Sequence, residues 1–189
     1  MVTTKLTLTD YLALNDDFEG RREFVDGEII EMPTESPQNL LISLFLLAQF
    51  LQLVPIEQLR RMDTELLVAS RVRIPDLMIL GPALATVLLA SGRSIITEDM
   101  PAPLLAVEVV SPGKVNEDRD YRFKRSEYAA RGIPEYWIID PMRALVRVLT
   151  LVDGLYESVD YRHNDRIQSS VLPELNLTVE QLLCAGNSS

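Results

Sequence analysis

Two stretches of sequence decide the fold, Arg73-Ile74-Pro75-Asp76-Leu77-Met78-Ile79-Leu80 and Leu104-Leu105-Ala106-Val107-Glu108-Val109-Val110. Each is an apolar, β-prone run of the kind that forms a buried strand, and each contains one carboxylate, Asp76 or Glu108. A buried carboxylate costs free energy unless something pairs with it, and a divalent metal ion is one such partner. We therefore expect the two strands to be neighbours and their carboxylates to lie together.

A charged helix is predicted between the second of these strands and the next one, at 135–139. The sequence pattern indicates that this helix runs over about 117–131. Asp120, Lys124 and Tyr128 are spaced by four residues, so they share one face of the helix. The helix thus presents one cation and two polar groups from a single face.

These residues together contain the groups needed for metal-assisted phosphodiester hydrolysis. Magnesium prefers oxygen ligands, and Asp76 and Glu108 can supply two of them, with a backbone carbonyl of Val109 or Val110 as a further ligand. A bound metal ion lowers the pKa of its water and neutralises charge on the scissile phosphate. Lys124 can then contact the attacking water or a phosphate oxygen. Glu23 is a possible third carboxylate, although nothing in its spacing places it beside the others.

The remaining elements are indicated by turn and cap residues. Asp26-Gly27 and Asp153-Gly154 each separate two β-prone runs, which is a strong hairpin signal. Ser36-Pro37 is typical of a helix start, and the apolar run that continues to about Val54 predicts a helix buried in a core or a subunit interface. The element order predicts an α/β domain with a mixed central sheet and helices on both faces. The other predicted elements are an N-terminal helix at 9–14, hairpin strands at 22–25, 28–32, 144–151 and 155–161, strands at 65–68 and 71–80, helices at 83–90 and 178–183, and a frayed tail at 186–189.

Composition indicates one globular domain with an uneven distribution of charge. The chain has 189 residues, 47% of them hydrophobic, which is enough for a sizeable core within a single domain over 1–189. The net charge is −10, which opposes tight, nonspecific binding of nucleic acid. However, the excess of acidic residues lies in 1–35 and 151–189, whereas 36–150 is neutral. The predicted site therefore lies in the neutral part.

Several other classes of function have little support. The apolar run Leu40 to Val54 has fifteen residues, and a membrane span needs roughly 20. Since the sequence opens without a signal-peptide pattern, we expect a cytoplasmic protein. Cys184 is the single cysteine, which rules out an intrachain disulfide. The single histidine, His163, lies in a polar turn, so a histidine-based triad or metal site is not expected.

The motifs, taken together, resemble the Uma-two endonuclease family, a bacterial group within the PD-(D/E)XK superfamily of restriction-endonuclease-like proteins. The blocks Glu108-Val109-Val110-Ser111-Pro112 and Glu135-Tyr136-Trp137-Ile138-Ile139-Asp140-Pro141 are fairly specific in combination. The resemblance extends over about 7–183. The other residues that match are Pro75-Asp76, Lys124, Tyr128, Gly132-Ile133, Glu23-Phe24-Val25-Asp26-Gly27-Glu28-Ile29 and Ser36-Pro37.

The resemblance implies a restriction-endonuclease-like core, a Mg²⁺ or Mn²⁺ ion, DNA as substrate and a homodimer. Asp76 and Glu108 match the metal-binding acids of the family. Lys124 matches a lysine that the family has moved onto the helix after the strand, and Glu23 matches an acid often found near such sites. The chain departs from the wider superfamily at Val110, where the Glu-X-Lys form would place a lysine.

Structural interpretations of the same residues remain open. Asp76 after Pro75 can cap a turn, and Glu108 can form a salt bridge with Arg73 or Lys124. The alternative function is a catalytically inactive dimeric or nucleic-acid-binding module that keeps the nuclease fold. The acidic net charge and Val110 favour this alternative. The presence of Asp76, Glu108 and Lys124 together favours a nuclease.

Overall fold

The computed structural model describes residues 5–14 and 20–185, and these form a mixed α/β structure. The predicted tail at 186–189 lies outside the described residues. The helices are α1 Leu8–Ala13, α2 Pro37–Phe50, α3 Pro82–Ala90, α4 Lys114–Asp118, α5 Arg125–Arg131 and α6 Val179–Leu183. The strands are β1 Arg22–Val25, β2 Glu28–Glu31, β3 Leu59–Arg60, β4 Glu65–Val68, β5 Arg71–Arg73, β6 Leu77–Ile79, β7 Ile95–Ile96, β8 Leu105–Val109, β9 Glu135–Asp140, β10 Leu145–Val152 and β11 Leu155–Arg162.

The strands form two mixed sheets, so the predicted fold class is confirmed, with a second sheet added to the expected central one. The six-stranded sheet has the order β11-β10-β9-β8-β6-β3, and the five-stranded sheet has the order β2-β1-β5-β4-β7. In the larger sheet β8 and β9 are parallel, while β6 pairs with β8 antiparallel. The expectation that the strands flanking Asp76 and Glu108 are neighbours is thus confirmed.

The single strand predicted over 71–80 is wrong in one respect, because the chain breaks at Ile74-Pro75-Asp76. Before the break β5 belongs to the five-stranded sheet, and after it β6 belongs to the six-stranded sheet. Proline has no N–H group to donate to a ladder, so strands commonly end or bulge at it. Asp76 therefore belongs to neither strand and lies in the short segment that connects the two sheets.

Both predicted hairpins are confirmed, with the backbone that their turn residues favour. β1 pairs with β2 around Asp26-Gly27, and β10 pairs with β11 around Asp153-Gly154. All four turn residues have positive φ, which is the requirement of a two-residue turn matched to the strand twist. The hairpin β1–β2 docks on β5 through the pair Phe24 and Val72, and this contact brings Glu23 towards the break.

The six-stranded sheet is covered on both faces. On β8, Val107 and Val109 pack in the cluster that contains Ile42 and Phe50 of α2. Ala106 and Val110 instead pack in the second cluster, on the opposite face. Since side chains alternate along a strand, Glu108 faces this second cluster. The buried side of the chain segment 114–131 covers that face, which includes Tyr128 and Tyr136.

The predicted helix over 117–131 exists but is longer and is not regular throughout. It begins at Lys114, and a π-helical segment, Arg119–Lys124, separates α4 from α5. Gly132 ends α5 in the left-handed conformation, as its sequence position indicated. Widened turns of this kind occur frequently at functional sites.

The long apolar helix α2 is shorter than predicted and is buried on one side. Ile42, Leu46 and Phe50 are fully buried in the core. Leu41 and Leu44, in contrast, are 43% exposed on the other side. In the part of the chain that the structure describes, no helix combines the length and apolar character needed to cross a bilayer.

Candidate active site

Asp76 joins the break in the chain to the end of β8. Its Oδ2 atom accepts a hydrogen bond from the Val109 N–H at 2.6 Å. The N–H and C=O of one strand residue point to the same side, so the Val109 carbonyl faces the same side as the Asp76 carboxylate. Asp76 therefore caps the strand rather than a turn, and it brings a carboxylate and a carbonyl together.

Glu108 is buried and is held by two groups from the helical segment above it. Its Oε2 atom lies 2.7 Å from the Lys124 Nζ atom, and both side chains are almost fully buried. The Tyr128 hydroxyl donates a hydrogen bond to Oε1 at 2.7 Å. The salt bridge to Lys124 that the sequence left open is therefore present, whereas Arg73 has other partners.

Glu23 lies beside Lys124, which its sequence spacing could not establish. Its Oε1 atom is 3.2 Å from the Lys124 Nζ atom and accepts a hydrogen bond from the Ile74 N–H at 3.3 Å. Its Oε2 atom pairs with Arg73 at 2.8 Å. Arg73 in turn pairs with the buried Glu127 at 2.7 Å. The hairpin is thus fixed to the helix by a chain of buried charges.

Asp120 is the third carboxylate around Lys124 and is fully buried. Its Oδ1 atom lies 3.7 Å from the Lys124 Nζ atom and accepts a hydrogen bond from the Arg119 Nε at 3.0 Å. No described residue donates a hydrogen bond to its other oxygen, Oδ2. The spacing of four residues did predict that Asp120, Lys124 and Tyr128 share one face, even though the helix is widened here.

The carboxyl groups differ in how readily they ionise. Burial raises the pKa of Glu108 to about 8 and that of Asp76 to about 6, although Lys124 opposes both shifts. Burial also disfavours the ionised form of Glu23, but Lys124 and Arg73 outweigh it and lower its pKa to about 2. Burial alone would lower the pKa of Lys124, but Glu108, Glu23 and Asp120 raise it. Glu23 and Lys124 therefore carry opposite charges at neutral pH.

A small cavity of about 30 Å³ borders two of these groups, Asp76 and Glu108, whereas Glu23, Lys124 and Asp120 do not line it. One water molecule needs about 10–15 Å³, so the cavity has room for an ion or one to two water molecules but not for a fully hydrated ion. Four of its lining residues are Asp76, Glu108, Val109 and Arg119. The remaining lining residues are Arg21, Met32, Pro33, Glu35, Asn39, Ser111 and Asn116.

The cavity fits a magnesium-type ion with few protein ligands. Two carboxylates, Asp76 and Glu108, line it, and the Val109 carbonyl faces the same side, which is an all-oxygen set. Within 5–14 and 20–185, no cluster of three or more His, Cys, Asp or Glu residues has metal-binding geometry. Such a site suits an ion that keeps several waters and takes further oxygens from its substrate.

Three residues at the site were missed by the sequence analysis. Asn39 of α2 donates to the Val110 carbonyl at 3.3 Å, and Glu35 lines the cavity with one buried oxygen that lacks a donor among the described residues. Glu127 anchors Arg73. A polar residue in the first turn of an apolar helix was the available signal for Asn39. Glu127 carried no signal, since its partner is 54 residues away.

Comparison with known proteins identifies a family and a solved structure of similar fold. The Uma2 family model, described as "Putative restriction endonuclease", matches residues 8–180. The fold matches a solved structure titled "Crystal structure of a putative nuclease belonging to DUF820 from Anabaena variabilis ATCC 29413 at 1.96 A resolution". That match has a TM-score of 0.74 and 18% identity over 94% of this chain and 97% of the other. No match was found among curated proteins. Because the family model covers nearly the whole sequence, this chain belongs to the Uma2 family of restriction-endonuclease-like proteins.

Proposed function

We propose that this protein is a divalent-metal-dependent endonuclease that hydrolyses phosphodiester bonds in DNA. In this proposal Asp76, Glu108 and the Val109 carbonyl bind Mg²⁺ or Mn²⁺, and Lys124 and Glu23 complete the catalytic site. The observation that carries the proposal is a cavity lined by Asp76 and Glu108, with the fully buried Lys124 ammonium 2.7 Å from Glu108. The descriptions of the family and of the structural neighbour, an endonuclease and a nuclease, support the same activity.

The metal ion, when bound, would supply a water of lowered pKa and would offset charge on the phosphate. The protein's own groups hold charge in place. Since the pKa of Lys124 is raised, it stays protonated and acts as a fixed positive charge, not as a base. Tyr128 orients the Glu108 carboxylate through its hydroxyl. Glu23, anchored by Arg73, keeps the ammonium in position.

The test is cleavage of plasmid DNA with Mg²⁺ or Mn²⁺ by the wild type, Glu108→Gln and Asp76→Asn. Each variant removes one metal ligand, and such ions contribute several kcal/mol to the transition state, so we expect losses of at least about a hundredfold. Glu135→Gln is the matched control, because Glu135 is also a buried strand glutamate but does not line the cavity. It should cleave at a rate close to the wild type.

Full activity of Glu108→Gln would contradict the proposal. Circular dichroism must show that each variant is folded before its rate is interpreted. A wild type that binds DNA but never cleaves it, with any divalent ion, would support the alternative, a catalytically inactive nucleic-acid-binding module. The net charge of −10 and the valine at position 110 are the observations that favour that alternative.

A homodimer is also part of the proposal. The exposed leucines of α2, among them Leu41 and Leu44, provide apolar surface that a second copy could cover. Light scattering coupled to size exclusion measures the mass directly. A mass of one chain at micromolar concentration would contradict the dimer without affecting the assignment of the site.

A further inference from the structure

A second polar cavity, of about 260 Å³, lies next to the candidate active site. Three arginines line it, Arg21, Arg22 and Arg93, together with the acids Asp63 and Glu65. Arg21 also lines the small cavity that contains Asp76 and Glu108, so the two spaces adjoin through this residue. The size is slightly below that of typical small-molecule pockets, and it suits a phosphate group with part of its sugar.

Two of the arginines that line this arginine cavity are held by contacts with neighbouring residues. Arg93 pairs with Glu65 at 2.7 Å and donates to the Leu12 carbonyl at 3.1 Å. The guanidinium groups of Arg22 and Arg93 lie 5.6 and 5.9 Å from the centre of the buried Tyr11 ring. These contacts hold two cations in place before any ligand arrives, which lowers the entropic cost of binding.

Arg21 differs from Arg93, which pairs with Glu65, because it has no ion-pair partner among the described residues. Its guanidinium donates to the Pro33 carbonyl at 3.2 Å, and no carboxylate of the described residues forms an ion pair with it. A guanidinium with free donors matches the geometry of phosphate oxygens. With respect to the described residues, Arg21 can therefore bind an anion without first breaking an ion pair, whereas Arg93 is paired with Glu65.

Charge distinguishes the two sides of the active-site cavity. A further cavity of about 360 Å³ adjoins it at Ser111, and its charged lining residues are two bases and three acids: Lys114, Arg143, Glu117, Asp118 and Asp140. The arginine cavity has three bases and two acids. In a chain of net charge −10, a polyanion is attracted to the side with local positive charge.

We propose that Arg21 and the arginine cavity bind a phosphate of the DNA strand adjacent to the phosphate that is cleaved. This inference rests on the proposed nuclease function and adds a direction for the substrate, from the Asp76–Glu108 cavity towards Arg93. Arg21 is a positioning residue here, because it contacts a phosphate that does not react. Its loss should weaken binding of DNA and leave the chemical step intact.

The test measures binding of a fluorescent DNA duplex to Glu108→Gln, which keeps the substrate uncleaved, with and without Arg21→Gln. We expect affinity to fall about tenfold, the value of one charge-assisted hydrogen bond. The plot of log affinity against log salt has a negative slope, and its magnitude should decrease by about 0.9, as for one lost phosphate contact. Arg21→Lys should restore the slope. Arg162→Gln, an exposed arginine on the edge strand β11, removes the same charge elsewhere and should leave the slope unchanged.

Cleavage by the single variant separates the two proposals. In an otherwise wild-type chain, Arg21→Gln should raise KM and leave kcat within about twofold, since a contact equal in the ground and transition states affects KM alone. If the wild type cleaves DNA and Arg21→Gln changes neither the salt slope nor KM, the proposed phosphate binding by Arg21 is wrong, whereas the proposed nuclease activity is supported. A wild type that neither binds nor cleaves DNA would overturn both.

Discussion

Two buried glutamates on neighbouring parallel strands have different kinds of partner. Glu108 of β8 lies opposite Ile138 of β9, and Glu135 begins β9 opposite Leu105. Glu135 accepts hydrogen bonds from neutral donors: the Trp137 indole at 2.7 Å, the Ser169 hydroxyl at 2.6 Å and both the N–H and the hydroxyl of Ser170. Glu108 has a lysine and a tyrosine as partners and faces a cavity.

The difference separates a buried acid that structure alone explains from one that is a candidate for a functional site. Glu135 satisfies its lone pairs within the protein and attaches the segment around Ser169 and Ser170 to the sheet, so its burial is explained by structure alone. Glu108 depends on a buried cation and still borders open space. A buried carboxylate alone is therefore weak evidence of a site, whereas one beside both a buried cation and a polar cavity is stronger evidence.

The largest expected effect tests the dependence of Glu108 on its cation. Lys124→Met should lower the free energy of unfolding by about 3–5 kcal/mol, because removing one partner of a buried ion pair leaves the other charge uncompensated. Urea denaturation measures this. Arg122→Met is the matched control on the same helical segment: its side chain is 70% exposed and lies 3.6 Å from Asp118. It should change stability by less than about 1 kcal/mol.

The double variant Lys124→Met/Glu108→Gln makes this prediction specific. At a pH above the raised pKa of Glu108, where the carboxyl is ionised, replacing it should recover part of the lost stability, because a neutral amide costs less to bury than an unpaired charge. The same second change at Glu135 should recover nothing. If Lys124→Met proved as stable as the wild type, Glu108 would not need its cation, and the contrast with Glu135 would fail.

A smaller effect is expected from the metal ion. At a Mn²⁺ concentration about a hundred times Kd, binding to the native state should stabilise the wild type by about 2.7 kcal/mol. For a chain of this length that raises Tm by about 5–10 °C. Glu108→Gln should show almost no shift, whereas Glu135→Gln should show the full shift. Equal shifts in both variants would place the ion elsewhere.

Local sequence signals predicted most of the fold. The Asp-Gly turns at 26–27 and 153–154 specified both hairpins, because their backbone needs residues that tolerate positive φ. The division into two sheets was not predicted. β5 and β6 are adjacent in sequence but pair with different neighbours, and those pairings involve residues far away in the chain. Pro75 indicated an irregularity without showing that the strand would end there.

The site was predictable where its residues share one element or adjacent strands. The proximity of Asp76, Glu108 and Lys124 could be predicted because each interrupts an apolar or helical pattern at a position set by local geometry. Glu23 could only be suggested, since its place beside Lys124 depends on the docking of a hairpin on β5. Arg21 gave no signal in the sequence, because its importance comes from two cavities that only the folded chain creates.

The pH dependence of stability without metal tests the same contrast without any substitution in the wild type. A carboxyl group whose pKa is raised in the folded state binds a proton more tightly there, so folding is favoured at low pH and stability falls as the pH rises. For Glu108 this loss should occur between its ordinary pKa of 4.5 and its folded value of about 8. Asp76 acts in the same direction between 3.8 and about 6.

Urea denaturation across this pH range, with EDTA present, measures the loss. One group cannot exceed a slope of about 1.4 kcal/mol per pH unit. Glu23 and Lys124 contribute little within this range, because the pKa of Glu23 is lowered to about 2 and that of Lys124 is raised above its ordinary 10.5. Glu108→Gln should flatten the profile above about pH 7, where Asp76 is mostly ionised. An unchanged slope in that variant would mean that Lys124 compensates Glu108 fully, so that the two buried glutamates differ in their partners but not in their cost.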